Sequence, residues 1–329
     1  MIFTCKNCGG NAVFDPKRQA MYCPHCDSED SADRLENQSS TVCSNCGAPI
    51  EVERFTSATK CPHCGTYIIL ENRVQGSMRP GLILPFKVSK REAVRRMEEE
   101  FEKRIFTPST FLSESTMELL EGSYVPFWLY NYDGEVEYEA KATKVRTWTT
   151  GKTEYVETSH YRVVRDMHID FEKIPVDAST RMADDIMDLL EPYQYKDLID
   201  FDELYMSGFL GEYYSETEDK MSDRAKEKVT EATESILKES VNSCGYSTVK
   251  PVHKEVSIVK EKAVFALLPV WVYRYRFRNS QFLIYVNGQT GKVIGESPRD
   301  NRKIWGYGGT VFALTLLFGF FVKIILGVF

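Results

Sequence analysis

The chain has 329 residues, with 48 acidic side chains against 41 Lys and Arg and a formal net charge of −7. That balance speaks against a protein that holds nucleic acid by general phosphate attraction, which needs a basic face. Nine cysteines, with no basic and apolar export segment between Met1 and Cys5, point to a reducing, cytosolic setting for the bulk of the chain.

Eight of those cysteines form two identical frames, Cys5, Cys8, Cys23, Cys26 and Cys43, Cys46, Cys61, Cys64. Each reads C-x2-C, fourteen residues, C-x2-C, and the second frame lies 38 residues after the first, an internal repeat. Two closely spaced thiol pairs, each on a tight turn and joined by a short β-hairpin, surround one tetrahedral ion. The reading is a zinc ribbon at 1–26, a second at 43–72, and two structural Zn²⁺ ions. Disulfides would need an oxidising compartment. Iron in a rubredoxin-like cage remains the rival, since C-P-H-C knuckles hold either metal. His25 and His63 sit inside knuckles whose four metal positions the thiols already fill, so neither is expected to ligate. A closed four-sulfur site leaves no place for water or substrate, so neither centre is expected to be catalytic. Cys61→Ser is expected to unfold the second ribbon and leave the membrane-proximal core intact. Residues 27–42, DSEDSADRLENQSSTV, are acidic and Ser-rich and read as a flexible tether.

After Asn72 the composition becomes that of a globular α+β domain of roughly 220 residues. Ser89 and Glu92 make a capping box, and Val94, Met97, Phe101 and Ile105 recur at helical spacing before Pro108. Val136, Tyr138, Ala140 and Ala142 alternate with charged residues, and a polar turn at Thr150–Lys152 reverses the chain into a second strand, a long hairpin. Residues 178–190 and 222–241 read as helices, and strands resume from about Val256 to Ile294. VPFWLYNY, with Trp128, Tyr130 and Tyr132 on one strand face, recurs as LPVWVYRY with Trp271, Tyr273 and Tyr275. Each copy follows a helix, so the core reads as a duplicated helix-plus-antiparallel-sheet unit, 80–170 and 171–298, with the aromatic ladders as core packing.

No enzyme motif stands out. Gly151, Lys152 and Thr153 lie in a hairpin turn, with Arg146 where a phosphate loop needs glycine. His160 and His168 share a strand face but stand about 26 Å apart. Cys244 reads as a small buried apolar group. No small-molecule substrate is identified. Arg274, Arg276 and Arg278 alternate on one strand and suit either a solvated face or anionic lipid headgroups.

Residues 305–329 carry one charge, Lys323, and as a helix cover about 37 Å, enough for a bilayer core of about 30 Å. Arg299, Arg302 and Lys303 precede this span, which places the N-terminal bulk in the cytoplasm. Trp305 and Tyr307 fit the near-side aromatic belt, and Lys323 reaches the far interface. Once metallated, eight thiolates and two dications bring the net charge to about −11. The ribbons themselves are neutral to acidic, so nucleic acid is not an expected partner.

The tandem ribbons, the PFW and PVW repeats, the VNGQTGKVIG hairpin and the terminal span together resemble a family of bacterial membrane-anchored TFIIB-type zinc-ribbon-containing proteins, some of which bear a primosomal-helicase-like label. The resemblance covers nearly the whole chain. It implies a place beside flotillin-like SPFH proteins and phage-shock protein A in the response to envelope stress. The expected function is a non-enzymatic membrane adaptor that recruits protein partners. The alternative is a membrane-tethered replication or transcription factor. Asp27 departs from the glycine that usually follows such a knuckle, which marks the first ribbon as the weaker metal site.

Overall fold

A computed structural model describes residues 1–36, 41–113, 118–182 and 184–325. The first ribbon holds β1 (Ile2–Cys5), the hairpin β2 (Val13–Asp15) and β3 (Ala20–Tyr22), and β4 (Ala32–Leu35), which pairs antiparallel with β1. Ala32–Leu35 therefore departs from the tether expected at 27–42. Its polar sequence fits an exposed edge strand, which needs hydrogen bonds more than burial, and Lys6 pairs with Asp33 at 3.4 Å beside it. Residues 37–40 of that segment lie outside the described residues.

The second ribbon contributes the hairpin β5 (Thr56–Lys60) and β6 (Tyr67–Ile69). The two ribbons are not separate beads. Ile2 of the first joins Ile50, Ile68 and Leu70 of the second in one apolar cluster, and the Ile69 amide donates to the Met1 carbonyl at 2.9 Å.

The main sheet has ten strands among the described residues. After β7 (Leu82–Ile83), Ser89 Oγ accepts the Glu92 amide at 3.3 Å and starts α1 (Lys90–Phe101), which buries Ala93, Met97 and Phe101. Ile105, expected on the same face, lies beyond the helix end and is 57% exposed. β8 (Glu121–Thr150) and β9 (Thr153–Asp177) form the long hairpin around Gly151 and Lys152. α2 (Asp184–Leu190) is shorter than the 178–190 expectation, and β10 (Ile199–Asp200) pairs with β7. β11 (Leu210–Glu212) runs parallel to β8 on one side and antiparallel to β5 on the other, which splices the second ribbon into the main sheet. α3 (Glu218–Asn242) follows. β12 (Thr248–Phe277) lies antiparallel along β8 and also pairs with β13 (Ser280–Asn287), which carries β14 (Val293–Gly295).

The unbroken apolar stretches of β8 and β12 are buried on both faces, as a central strand requires. Tyr124, Leu267 and Trp271 face Phe86, Phe209 and α1, while Val125, Phe127, Leu268 and Val270 face Met187 and Leu190 of α2. Past Tyr132 the pattern turns alternating: Val136, Tyr138, Ala140 and Ala142 pack under Leu237 and Val241 of α3, and Glu135, Glu137 and Glu139 line the open face. α3 buries Ala225, Val229, Thr233, Leu237 and Val241, one residue per turn, against this arm. The arm is long. From Phe277, near the end where Phe111 packs on Tyr275 (ring centroids 5.0 Å), to Thr150 at its tip the sheet extends on the order of 100 Å at about 3.3 Å per residue.

The two Trp-Tyr-Tyr ladders lie in the core and use matching contacts. Trp128 Nε1 donates to Glu216 O and Trp271 Nε1 to Val88 O, both at 2.9 Å, and each acceptor sits one residue before a helix N-cap, Thr217 or Ser89. Tyr130 and Tyr132 donate to carbonyls of Glu218 and Ser222 in α3, and Tyr273 to that of Phe111. The helix that precedes each ladder in sequence thus packs on the other one. The expected boundary between 170 and 171 falls inside β9, so the described strands do not divide there.

Close packing at this crossing makes one position sensitive. A Cβ on Gly122 would stand 2.5 Å from Phe209 Cδ1, and Phe209 is stacked on Phe86 with centroids 4.1 Å apart. Gly122→Val is therefore expected to cost about 1–3 kcal/mol by overpacking, read as a lower urea midpoint at unchanged slope.

α4 (Asn301–Ile325) is long and apolar enough to cross a membrane, and its large apolar side chains from Val311 to Phe321 stay 44–69% exposed. The Lys323 side chain lies outside the described residues. At its foot, Phe106 meets Tyr307 with ring centroids 5.7 Å apart. Arg274 pairs with Glu121 at 3.5 Å, and Arg278 leaves the strand at φ 55°, so the three arginines do not make one continuous basic strip.

Candidate metal centres

Each cysteine pair sits on the same backbone turn. The amides of Gly9, Asp27, Gly47 and Gly65 donate to the carbonyls of Cys5, Cys23, Cys43 and Cys61 at 2.8–3.0 Å, and those four cysteine amides donate to Gly10, Ser28, Ala48 and Thr66. The turn needs a left-handed residue just after the second cysteine of the pair. Gly9, Gly47 and Gly65 supply it at φ 72–75°, and Asp27 adopts it at φ 59° with its carboxylate accepting from the Tyr22 hydroxyl. The Asp27 departure therefore does not prevent the knuckle.

These turns bring each set of four thiols together, with all Sγ atoms of a set within 4.8 Å of one another. Cys5–Cys26 and Cys8–Cys23 stand 3.6 and 3.5 Å apart, Cys43–Cys64 and Cys46–Cys61 3.7 and 3.8 Å. A disulfide needs about 2.05 Å, so none is formed here. A tetrahedron with metal–sulfur bonds of about 2.3 Å has edges of about 3.8 Å, so the groups fit one ion each and are compatible with zinc. In each set two thiols are buried and two exposed. His25 and His63 are exposed and lie outside both groups.

A hydroxyl two residues after the last cysteine tunes each set, a pattern sequence reasoning passed over. Ser28 Oγ stands 3.3 Å from Cys5 Sγ and 2.6 Å from Cys26 Sγ, and its hydrogen bonds draw both thiols down, Cys5 to about 6. In the second set burial pushes Cys64 up. The Thr66 hydroxyl at 3.4 Å and amide, with Asn45 Nδ2 at 3.6 Å, outweigh burial and bring it to about 6. Cys8 and Cys46 move the other way, up to about 12: the backbone at Gly10 and Ala48 lowers them, but hydrogen bonds to neighbouring thiols and burial outweigh that. Each set thus mixes a thiol that ionises near neutral pH with one that must lose its proton to the metal.

His168 sets Nδ1 3.2 Å from Asp133 and Nε2 3.3 Å from Asp170, a group of three whose ligand atoms lie within 4.8 Å of one another at a largely exposed position. Glu137, His253 and Glu255 are close together but fully on the open sheet face. A cavity of about 360 Å³ between the second ribbon and the core is lined by Arg181, Glu212, Arg274 and Glu121, among others. Arg181 pairs with Glu212 at 3.0 Å and also with Glu53, and Arg274 pairs with Glu121, while Glu51 adds a further carboxylate to the lining. Cys244 is half-buried rather than enclosed, and Arg165 Nη2 lies 3.2 Å from its sulfur.

No family model matches this sequence, and no solved structure matches it. The uncharacterized protein YdjG of Bacillus subtilis (strain 168) is 35% identical over 331 residues, an overlap that takes in 96% of each chain. Identity at that level along nearly the full length of both proteins makes this chain a member of the YdjG family.

Proposed function

We propose that the protein is a non-enzymatic adaptor anchored in the cell membrane by α4, with its bulk in the cytoplasm, and that its two ribbons, each built on a structural zinc ion, recruit protein partners. The observation that carries this reading is the completeness of the two four-thiol groups, which leave no open position for a substrate or an activated water. Arg299, Arg302 and Lys303 ahead of the span support the orientation. The resemblance seen in the sequence points to SPFH and phage-shock protein A-like partners and to envelope stress. The matching ladder contacts support reading the core as a duplicated unit.

Two tightly bound zinc ions per chain are expected, since each tetrad is complete. Elemental analysis of protein made in the cytosol checks this, and one zinc, or mainly iron, would defeat it. The adaptor role is tested with point changes, because removing residues 1–72 would also strip Phe14, Ala58 and Ile69 from the main core. His25→Glu with His63→Glu alters both exposed knuckle tips without touching a ligand. The expected result is unchanged zinc content with at least tenfold weaker capture of purified SPFH or phage-shock protein A-like partners. If the full-length protein instead retains DNA with an affinity that falls steeply with salt, the tethered nucleic-acid factor is the correct reading.

A further inference from the structure

At the foot of α4 the fold brings together two segments that are almost two hundred residues apart in sequence. The Asp300 amide donates to Phe106 O at 2.8 Å, Lys303 Nζ to Thr107 O at 2.7 Å, and Thr107 Oγ1 to Ser297 Oγ at 3.0 Å. Phe106 packs edge-on against Tyr307, next but one to Trp305, which is 81% exposed. Tyr and Trp at the end of an apolar helix sit at headgroup depth, so whatever is tied to Tyr307 sits there too. The exposed Ile105 is on that tied loop.

The charge of the same region is the reverse of the molecule's. Residues 102–107 and 296–303 hold five cations, Lys103, Arg104, Arg299, Arg302 and Lys303, against Glu102, Glu296 and Asp300, a net +2, or +1 once Glu100, the partner of Arg104, is counted, in a chain of −7. Asp300 is occupied in accepting the Arg302 amide at 3.0 Å, and Arg104 also pairs with Glu100 at 3.1 Å. Lys103, Arg104 and Arg299 border a cleft of about 400 Å³ between the two segments.

We propose that the loop at 102–107 and the segment at 296–303 form a collar that docks on anionic phospholipid headgroups, with Ile105 dipping into the interface. This rests on α4 spanning the membrane. A negatively charged leaflet attracts such cations over a screening length of only about 8 Å, so they act because the hydrogen bonds to the span hold them at the surface. The collar turns a single-helix tether into a two-point attachment and fixes how the sheet leaves the bilayer.

The test uses full-length protein in phosphatidylcholine nanodiscs with and without phosphatidylglycerol. The photo-crosslinker p-benzoyl-phenylalanine is placed in turn at Leu316 in the span, Ile105 in the collar and Val156 at the arm tip. Position 316 is expected to label lipid in both discs and position 156 in neither. Position 105 is expected to label lipid several-fold more when phosphatidylglycerol is present. Lys103→Glu with Arg104→Glu, with metal content unchanged as the folding control, should abolish that increase and bring labelling at 105 down to its level in phosphatidylcholine alone. Labelling at 316 with none at 105, or equal labelling at 105 in the two discs, overturns the collar and leaves the span standing. Absence of lipid label at 316 overturns both.

Discussion

Cys61→Ser is expected to remove one of the two metal ions and to lower the stability of the whole soluble body by more than about 4 kcal/mol, a size reserved for lost metals, cores or buried networks. Structural four-ligand sites supply apparent binding energies of about 10–16 kcal/mol in small modules, and one missing thiolate forfeits most of that. The loss should not stay local. β5 and β6 are strands of the main sheet, joined to β8 through β11, and Ala58, Ile69 and Val74 lie in the same core cluster as Tyr124 and Trp271. From the sequence, the same substitution was expected to spare the core, so the two accounts diverge on one measurement. In urea, the fluorescence of Trp128 and Trp271 should report a lower midpoint in the variant. An unchanged midpoint with one metal lost would mean that the ribbon unfolds alone.

Ending the chain at Asp300 is expected to move the protein from the membrane fraction to the soluble fraction almost completely. Eight large side chains, Val311, Phe312, Leu314, Leu316, Leu317, Phe318, Phe320 and Phe321, stand exposed on α4. At about 1.5–3 kcal/mol for each one removed from water, they favour a lipid phase by more than about 10 kcal/mol. The fold loses little, because among the described residues the helix touches the body near its foot, through residues such as Lys303 and Tyr307, and its large side chains from Val311 to Phe321 stay exposed. Fractionation combined with a melting curve checks both halves of the statement. Recovery of the shortened chain only as aggregate would show the helix to be part of the core. A reporter active only outside the cytoplasm should be on when fused after Phe329.

The metal groups were legible because the chemistry demands a local spacing: a C-x2-C turn is written in consecutive letters, and both tetrads form from the cysteines so identified. The hydroxyls of Ser28 and Thr66 obey an equally regular offset, but serine and threonine are too common for a single position to attract notice. The long hairpin was legible from alternation, and the two central strands from the Trp-Tyr-Tyr ladders of VPFWLYNY and LPVWVYRY. What the sequence hid were contacts between distant segments. Ile2 against Ile68, β11 wedged between β5 and β8, and the exchange of helices between the two ladders leave no periodic trace. β4 was missed because an edge strand with three exposed residues has no apolar pattern to read, and Ile105 was misplaced because α1 stops one turn early.

The length of the β8–β9–β12 arm has an electrical consequence. Its tip carries a stacked Trp148–Tyr155 pair with ring centroids 5.6 Å apart, and Arg146 lies 5.8 Å from the Trp148 ring centre. Mobile ions damp an exposed charge over about 8 Å in physiological salt, whereas the arm separates the tip from the foot of α4 by on the order of 100 Å. Were α4 to span a membrane, as proposed, Lys144, Arg146 and Lys152 would neither feel the headgroup potential through the solvent nor add to it. With α4 in a membrane as proposed, a change in the headgroup charge at the foot and a change in the residues at the tip would act independently of each other.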